Sequence, residues 1–232
     1  MIIKLVRHGQ SMANTGEVQV ADIGDHNVAL TQPGHEQARE AGRRIGASFL
    51  QGSLAYCSPF RRARETMVGL LAGADVAAGS VRVFEDPRLR EVDHGYADVG
   101  AQKGLRRTHG WFYYRYKGGE SPADCYDRTS SFLESLMRQA ERKRAERIVV
   151  VTHSLTIRCF VMRFLHLRVE DFDLMAGLSN GAVVTLARLE QLQSPVFSSG
   201  RWGVGDLPLR PTSQSAKSPI ITRPPETDEF TG

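Results

Sequence analysis

The sequence predicts a three-layer α/β/α sandwich, in which helices cover both faces of a mostly parallel β-sheet. Short apolar runs alternate along the chain with longer amphipathic stretches, which is the pattern of strands connected by helices. A chain of 232 residues, of which 41% are hydrophobic, is long enough to bury one substantial core. We therefore expect one α/β domain with additional segments.

Five strands are predicted from short apolar runs. The run at the start of the chain (Ile2, Ile3, Leu5 and Val6) and the run Ile148–Val151 are almost uninterrupted, as expected for buried strands. In chain order the predicted strands are 2–7, 54–57, 81–84, 147–152 and 182–188.

Four helices are predicted from the amphipathic stretches between these runs. The first three begin with a shared signal, a Ser or Thr that suits the cap and a Pro that suits the first turn. The signal occurs at Thr31 and Pro33, at Ser58 and Pro59, and at Ser121 and Pro122. In chain order the predicted helices are 33–50, 60–72, 121–145 and 155–166.

The composition of the chain changes near residue 190. Residues 1–190 are expected to form the domain, and residues 191–232 a Pro/Ser-rich C-terminal tail that contains six of the ten prolines. This composition predicts an extended, mostly unfolded segment. Its isolated apolar residues, Trp202, Ile220 and Ile221, are candidates for docking on the domain.

Composition also argues against several classes of protein. No apolar run approaches the roughly 18 residues of a membrane span, and the N-terminus lacks a secretion signal. Cys57, Cys125 and Cys159 are odd in number and have no metal-ligand spacing, which indicates reduced thiols. The net charge of +4 comes from distributed residues without a basic recognition motif. We expect a cytoplasmic protein with no nucleic-acid or membrane partner, and a homo-oligomer remains open.

Two histidines directly follow predicted strands. His8 follows the strand 2–7, and His153 follows the strand 147–152. Reactive groups in open α/β sheets gather beyond the carboxyl ends of the strands, so the two histidines meet if these strands are parallel neighbours. Gly9 leaves the approach to His8 uncrowded. The sequence therefore predicts a reaction centre at this edge of the sheet.

Further motifs accompany the two histidines. In chain order they are Arg7-His8-Gly9, Asn14, the segment Ser58–Thr66, Leu89-Arg90-Glu91 with Gly95, and the segment Thr152–Arg158. Together and in this order they resemble the histidine phosphatase superfamily, also called the phosphoglycerate-mutase-like family. The resemblance covers about residues 1 to 188. It implies a phosphoryl-transfer enzyme that acts on a small phosphorylated substrate.

The resemblance also implies a role for each motif residue. His8 is expected to attack phosphorus and form a phosphohistidine. Arg7 is expected to donate forked hydrogen bonds to the phosphate oxygens. His153, if protonated, adds a charge and a donor, and Asn14 adds a neutral donor.

Two of the expected roles require a choice between residues that are close in the sequence. We assign the second phosphate-binding arginine to Arg62 rather than Arg61, because the family pattern places it directly before an alanine, here Ala63. The general acid of the family is a carboxylate in a Leu-x-Glu context, which is Glu91 here, with Asp93 as the alternative.

The departures from the family pattern bear on the activity. Ser154 stands where glycine is common, and its hydroxyl is a candidate cap for the next helix and a candidate substrate contact. The span from Glu91 to His153 is short compared with that of cofactor-dependent phosphoglycerate mutases, which favours a phosphatase over a mutase. A catalytically silent phosphate-binding module is the third possibility. The segment resembles most a branch of small plant, fungal and bacterial members, through the motifs Gly118-Gly119-Glu120-Ser121 and Tyr126-Asp127-Arg128.

A metal site and a substrate lid complete the candidates. Clustered His, Asp and Glu also occur in hydrolytic metal sites, but no recurring ligand spacing is present, so neither a metal nor an organic cofactor is expected. The basic and aromatic segment 102–117 lies where an insertion covers the active site in related folds. It is either a lid or a surface helix whose aromatics pack on the core. As a lid, it would direct Lys103, Arg106 and Arg107 at a second anionic group of the substrate.

Overall fold

The computed structural model describes residues 1–96, 98, 100–211 and 221–223. The strands are β1 (Ile2–Arg7), β2 (Leu54–Cys57), β3 (Val83–Glu85), β4 (Arg147–Thr152), β5 (Val183–Arg188), β6 (Phe197–Ser199), β7 (Trp202–Gly205) and β8 (Ile221–Arg223). The helices are α1 (Met12–Thr15), α2 (Val20–Ile23), α3 (Gln32–Ile45), α4 (Ala47–Gln51), α5 (Arg61–Gly73), α6 (Lys103–His109), α7 (Pro122–Lys143), α8 (Ser154–Phe164) and α9 (Val169–Leu174). None of these helices is both long and apolar enough to cross a bilayer.

The strands form one sheet in the order β3-β2-β4-β1-β5-β7-β6-β8. The first four in this order are parallel to one another, and β5 joins β1 in the antiparallel direction. In the register, Arg7 is opposite Thr152, and Cys57 is opposite Val151. The carboxyl ends of β1, β4 and β2 therefore meet at one edge, and the mostly parallel sheet predicted from the sequence is confirmed.

Helices cover the two faces of this sheet and form two separate cores. Side chains alternate along β4, so that Ile148 and Val150 face one core while Val149 and Val151 face the other. The first core also contains the apolar sides of α7 and α8, and the second contains those of α3 and α5. This arrangement confirms the three-layer α/β/α sandwich.

The predicted helix 33–50 is divided into α3 and α4. Gly46 separates them, with a φ of 83° that ends α3. Glycine adopts this left-handed region without the steric cost that a side chain would add. The sequence prediction is therefore wrong in continuity, although the helical residues on either side are correctly predicted.

The segment after residue 190 is more ordered than its composition suggests. Residues 197–205 contain β6 and β7, which pair with each other, and β7 extends the sheet from β5. Phe197 and Val204 are fully buried, and the Trp202 ring lies 5.2 Å from that of Phe164. The expectation of a mostly unfolded tail is wrong here, because these apolar side chains complete the first core. Ile220, with the rest of 212–220 and 224–232, lies outside the described residues, and the division at residue 190 stays a prediction.

Candidate active site

His8 and His153 lie side by side at the carboxyl edge of the sheet. The backbone N–H of His8 donates to the carbonyl of Thr152 at 2.9 Å, which continues the β1–β4 pairing past the end of β1. The centroids of the two imidazole rings are 5.1 Å apart, and the ring planes are inclined at 61°. The parallel strands therefore bring together the two histidines that the sequence analysis singled out.

The His8 ring is held in one tautomer. Its Nδ1 lies 2.7 Å from the carbonyl oxygen of Gly9. A carbonyl can only accept, so Nδ1 carries the proton and Nε2 carries the lone pair. Burial, together with the positive charges of Arg62 and Arg7, lowers the pKa of His8 to about 3. His8 is therefore a neutral imidazole whose Nε2 is in the state required of a nucleophile.

The loop after His8 is pressed against the start of α3. The N–H of Gly9 donates to Oγ1 of Thr66 at 3.0 Å. A Cβ on Gly9 would lie 2.3 Å from the carbonyl oxygen of Gly34, and a Cβ on Gly34 would lie 2.0 Å from that of Gln10. The two backbones can approach this closely only because both residues are glycine.

His153 is fully buried directly after β4, next to the residues that follow β2. Its Nε2 lies 2.8 Å from Oγ of Ser58, and the Phe60 ring is 5.3 Å from its centroid. Its Nδ1 makes no hydrogen bond to any residue that the structure describes. Burial, followed by the charge of Arg62, holds the pKa of His153 well below its usual range. The imidazole is therefore neutral, and only a nearby anion would restore the protonated form considered in the sequence analysis.

Arg62 and Arg61 lie in different environments, although they are adjacent in the first turn of α5. The Arg62 side chain is 6% exposed, and its two terminal nitrogens pair with the Asp25 carboxylate at 2.8 and 3.2 Å. The Arg61 side chain is 54% exposed and pairs with Glu65 at 2.7 Å. Arg62 is therefore the arginine that faces the interior beside the two histidines.

Arg7 lies at the end of β1 and is partly buried. One terminal nitrogen donates to the carbonyl of Leu178, and Nε makes no hydrogen bond to a described residue. Burial lowers the pKa of Arg7 from its usual value, and the charge of Glu91 opposes this shift. A buried donor without a hydrogen-bond partner costs free energy, and an anion is an acceptor of opposite charge for the Arg7 guanidinium.

Asn14 is oriented by two donors. Its Oδ1 accepts from the N–H of Ser11 at 3.1 Å and from Nδ2 of Asn180 at 3.0 Å. Because the backbone N–H can only donate, the amide oxygen of Asn14 must face it, and its Nδ2 points away as a donor. Asn180 Nδ2 also lies 3.3 Å from the carbonyl oxygen of His8, which ties this pair to the histidine loop.

Glu91 lies on the loop that follows the 3₁₀ turn Pro87–Leu89 and is close to the start of α8. Its Oε1 accepts from the N–H of Val92 at 3.0 Å, and Oε2 lies 3.4 Å from the N–H of Leu155. The alternative acid, Asp93, is exposed, and its Oδ1 accepts from the N–H of Gly95 at 2.8 Å. This geometry favours Glu91, because it is half-buried beside the start of α8 whereas Asp93 is exposed.

Ser154 is the first residue of α8 rather than its cap. Its Oγ accepts from the N–H of Leu178 at 3.1 Å, so it anchors the loop that also receives Arg7. The cap position is occupied by His153, whose side chain makes no capping hydrogen bond. The capping role suggested for Ser154 is therefore wrong, and its contact with substrate stays a prediction.

The three basic residues of the candidate lid lie on α6. Lys103, Arg106 and Arg107 line a cavity of about 510 Å³ together with Trp111, Asp173 and Arg210. The residues that line this cavity do not include His8, His153, Arg62 or Glu91. From here on, this cavity is called the α6 groove.

The α6 groove is connected to the Glu91 loop through Tyr116. The Tyr116 hydroxyl accepts from Arg106 at 2.8 Å, and its ring centroid lies 4.6 Å from that of His94. Tyr116 and Phe112 are buried in the first core, as the surface-helix alternative expects, whereas Tyr113 is exposed. Lys103 and Arg107 are exposed and Arg106 is half-buried, so the lid alternative stays open.

Two groups at the site escaped the sequence analysis. Asp25 lies in the 3₁₀ turn Asp25–Asn27, and Asn180 lies just before β5. Neither belongs to a periodic segment or to a motif, so only the folded chain places them beside Arg62 and Asn14. Among the described residues, no group of three or more His, Cys, Asp or Glu side chains is arranged to hold a metal ion.

The sequence matches one protein-family model over most of its length. The family is the histidine phosphatase superfamily (branch 1), and the match covers residues 3–195. A phosphoglycerate mutase-like protein of Arabidopsis thaliana is 34% identical over an alignment of 204 positions, which covers 77% of this chain and 70% of that protein. A broad-range acid phosphatase of Saccharomyces cerevisiae is 26% identical over an alignment of 293 positions, which covers 84% of this chain and 88% of that protein.

Other matches carry further activities in their names. A 2,3-bisphosphoglycerate-dependent phosphoglycerate mutase of Parvibaculum lavamentivorans is 30% identical over an alignment of 192 positions, which covers 79% of this chain and 88% of that protein. Among solved structures, a mycobacterial glucosyl-3-phosphoglycerate phosphatase superposes with a TM-score of 0.66 at 24% identity, covering 88% of this chain and 96% of that one. At this identity the structural likeness shows the fold alone.

Proposed function

The chain belongs to branch 1 of the histidine phosphatase superfamily, and on this premise we propose that it hydrolyses phosphomonoesters through a phosphohistidine formed on His8. The observation that carries the proposal is the state of His8, a neutral ring with a protonated Nδ1 and a lone pair on Nε2. The His153 ring lies beside His8, and the charges of Arg62 and Arg7 act on it. Phosphoryl transfer needs charge neutralisation and positioning above all.

The first step transfers the phosphoryl group to the enzyme. The lone pair of His8 Nε2 forms the N–P bond while the ester P–O bond breaks. The departing oxygen takes a proton from the carboxyl group of Glu91, which enters this step protonated. The Nδ1 proton stays on the ring and continues to donate to Gly9, so the ring keeps its orientation.

The second step releases inorganic phosphate. The Glu91 carboxylate takes a proton from a water molecule, whose oxygen forms the new P–O bond as the N–P bond breaks. The electron pair returns to Nε2, and both residues regain their starting states. No oxidant, reductant or metal ion is required by this balance.

The phosphate also changes the charge of its surroundings. His153 is neutral because of burial and the charge of Arg62. A phosphate dianion beside it would raise the pKa of His153 and favour the protonated ring, which then donates to a phosphate oxygen. The buried Nδ1 of His153 and Nε of Arg7, which have no partner among the described residues, are suited to such oxygens.

A turnover screen separates hydrolysis from the alternatives. The enzyme is incubated with phosphorylated metabolites in the presence of EDTA, including 3-phosphoglycerate with and without 2,3-bisphosphoglycerate. Release of inorganic phosphate supports the hydrolase. Interconversion of phosphoglycerates without net release supports the mutase that one relative's name suggests. Absence of any turnover would leave only the phosphate-binding module.

Substitution of Glu91 by glutamine tests its role as the proton donor. Alkyl phosphates have poor leaving groups that need protonation, whereas aryl phosphates depart without much help. We expect Glu91→Gln to reduce kcat/KM for an alkyl phosphate by about a hundredfold and to reduce it much less for p-nitrophenyl phosphate. Steady-state rates for the two substrates provide the measurement. Equal losses would mean that Glu91 only positions the phosphate or the water.

We further propose that the substrate is a small metabolite with a second anionic group, which the α6 groove attracts. The groove combines Lys103, Arg106, Arg107 and Arg210 with one acid, Asp173. Opposite charge near a site raises the local concentration of a ligand. Replacement of the first three residues by glutamine should raise KM for a substrate with an additional carboxylate or phosphate by about tenfold at low salt.

The same triple variant should leave KM for p-nitrophenyl phosphate nearly unchanged. A control variant that replaces Arg138, Arg142 and Lys143, near the C-terminal end of α7, removes the same charge from another part of the surface. It should affect both substrates little. An identical loss for both substrate types in the α6 variant, or no loss in either, would identify the groove as ordinary surface.

A further inference from the structure

Two sequence motifs remain unused by the mechanism above, and the fold brings them together. Glu120 comes from the Gly118-Gly119-Glu120-Ser121 motif, and Arg128 lies on the second turn of α7. Nε and Nη2 of Arg128 donate to the two carboxylate oxygens of Glu120, at 3.2 and 3.0 Å. Their side chains are only 10% and 13% exposed. This is a two-point arginine–carboxylate pair in a mostly buried position.

The remaining nitrogen of Arg128 binds the backbone that carries Glu91. Nη1 donates to the carbonyl of Arg88 at 2.6 Å and to that of Arg90 at 2.8 Å. These carbonyls lie on and directly after the turn Pro87–Leu89, so the second of them belongs to the peptide that leads into Glu91. The Arg128 guanidinium therefore links the turn Pro87–Leu89 to the start of the loop that carries Glu91.

Two threonine hydroxyl groups, from β4 and α8, also bind the backbone of residues 88–90. Thr152, the last residue of β4, donates from Oγ1 to the carbonyl of Leu89 at 2.6 Å. Thr156, in the first turns of α8, donates to the carbonyl of Arg90 at 2.8 Å. All three carbonyls from residue 88 to residue 90 are thus bound.

Glu120 completes the arrangement beyond Glu91. Its Oε2 accepts from the N–H of Asp93 at 3.3 Å, and its own N–H donates to the carbonyl of Asp93 at 2.8 Å. The guanidinium of Arg90 also pairs with Glu120. The carboxylate of Glu120 therefore receives donors from both sides of Glu91 as well as from Arg128.

A buried ion pair is weak evidence for stability, because removal of two charges from water offsets much of their attraction. Its contacts here are directed at the backbone on both sides of one carboxylate. Proton transfer depends steeply on the distance between donor and acceptor, so a small displacement of that backbone is costly. We infer that the Glu120–Arg128 pair positions Glu91 for proton transfer to the leaving group, an inference that rests on the acid role proposed for Glu91.

Substitution of Arg128 by lysine tests the inference, because lysine keeps the charge but cannot bind Glu120 at two points while reaching both carbonyls. We expect Arg128→Lys to lower the ratio of kcat/KM for an alkyl phosphate to that for p-nitrophenyl phosphate by about tenfold, which is part of the loss expected for Glu91→Gln. Combined with Glu91→Gln, Arg128→Lys should cause no further fall in this ratio, because the group that it positions is already inactive.

Arg158→Lys is the matched control. Arg158 is also a buried arginine, and it donates to the carbonyl of Phe172 at 2.8 Å rather than to the Glu91 loop. It should lower the melting temperature without changing the ratio of the two rates. If Arg128→Lys does not fold, Glu120→Gln, which keeps the shape of the side chain and removes its charge, is expected to lower the ratio in the same direction.

The outcomes separate the two proposals. A lower ratio in Glu91→Gln together with an unchanged ratio in folded Arg128→Lys and Glu120→Gln would overturn the positioning role and leave the acid role intact. An unchanged ratio in Glu91→Gln would overturn the acid role and the positioning role with it. Equal losses for both substrates in Arg128→Lys would assign the pair to stability alone.

Discussion

Substitution of His8 by alanine is expected to reduce turnover by about a thousandfold or more, because it removes the nitrogen that forms the covalent bond. The hydrogen bond of His8 Nδ1 to a carbonyl, at 2.7 Å, leaves Nε2 with its lone pair, whereas Nε2 of His153 lies 2.8 Å from Oγ of Ser58. Brief incubation with a substrate labelled at phosphorus, followed by quenching, should trap a phosphoenzyme on the natural chain that is labile in acid and stable in base. This label should be absent from His8→Ala.

His109→Ala provides a control for the labelling experiment. His109 is an exposed residue at the end of α6, and its loss should leave the phosphoenzyme in place. Melting temperatures of both variants should confirm that they are folded. A label of undiminished intensity on His8→Ala would rule out His8 as the nucleophile and redirect the search to other side chains.

Substitution of Arg62 by alanine is expected to have the second largest effect. Arg62 is a buried donor whose charge already reaches both histidines, since it lowers the pKa of each. Loss of a preorganised donor of this kind costs about 2 to 4 kcal/mol of transition-state stabilisation, or roughly 30- to 1000-fold in kcat/KM. Kinetics on one substrate, with wild type and variant at equal salt, give the measurement.

Arg61→Ala is the natural comparison, because it removes the same side chain one residue earlier. Arg61 is mostly exposed and pairs with Glu65 on the helix surface, where such pairs contribute about 1 kcal/mol or less. We expect kcat/KM to stay within a few-fold of wild type. If Arg61→Ala were the more damaging of the two, the assignment of the phosphate-binding arginine would be reversed.

Much of the sheet can be predicted from the sequence because its central strands are nearly continuous apolar runs. Residues 2–7, 54–57 and 147–152 are strands in the structure at the predicted bounds. Each lies inside the sheet and contributes apolar side chains to both cores, so the pattern does not depend on which side faces solvent. The β6–β7 hairpin has no such pattern, since its strands have only three and four residues and β7 contains Gly203 and Gly205. Short glycine-containing strands become recognisable only when the edge of the sheet is already in place.

Some residues of the site are also predictable from local sequence, whereas others depend on the tertiary fold. His8, His153 and Arg62 occupy fixed positions relative to a strand end or a helix start, so a motif was enough to bring them to notice. Asp25 and Asn180 reach the site from loops whose course depends on how the layers pack. The neutral state of His153 also depends on burial in the finished fold, which no spacing of residues reveals.

The contact between Gly9 and Gly34 limits which sequences can encode this reaction centre. Most steric conflicts inside a protein can be relieved by trimming a neighbouring side chain, so that a second substitution rescues the first. Here each added methyl group would collide with main-chain atoms, at 2.3 Å for position 9 and 2.0 Å for position 34. A substitution at another position changes a side chain and cannot remove these backbone atoms. In a saturation library we therefore expect both positions to tolerate glycine alone. We expect no second substitution to rescue a change at either position, so both glycines should stay fixed while other positions of this chain vary.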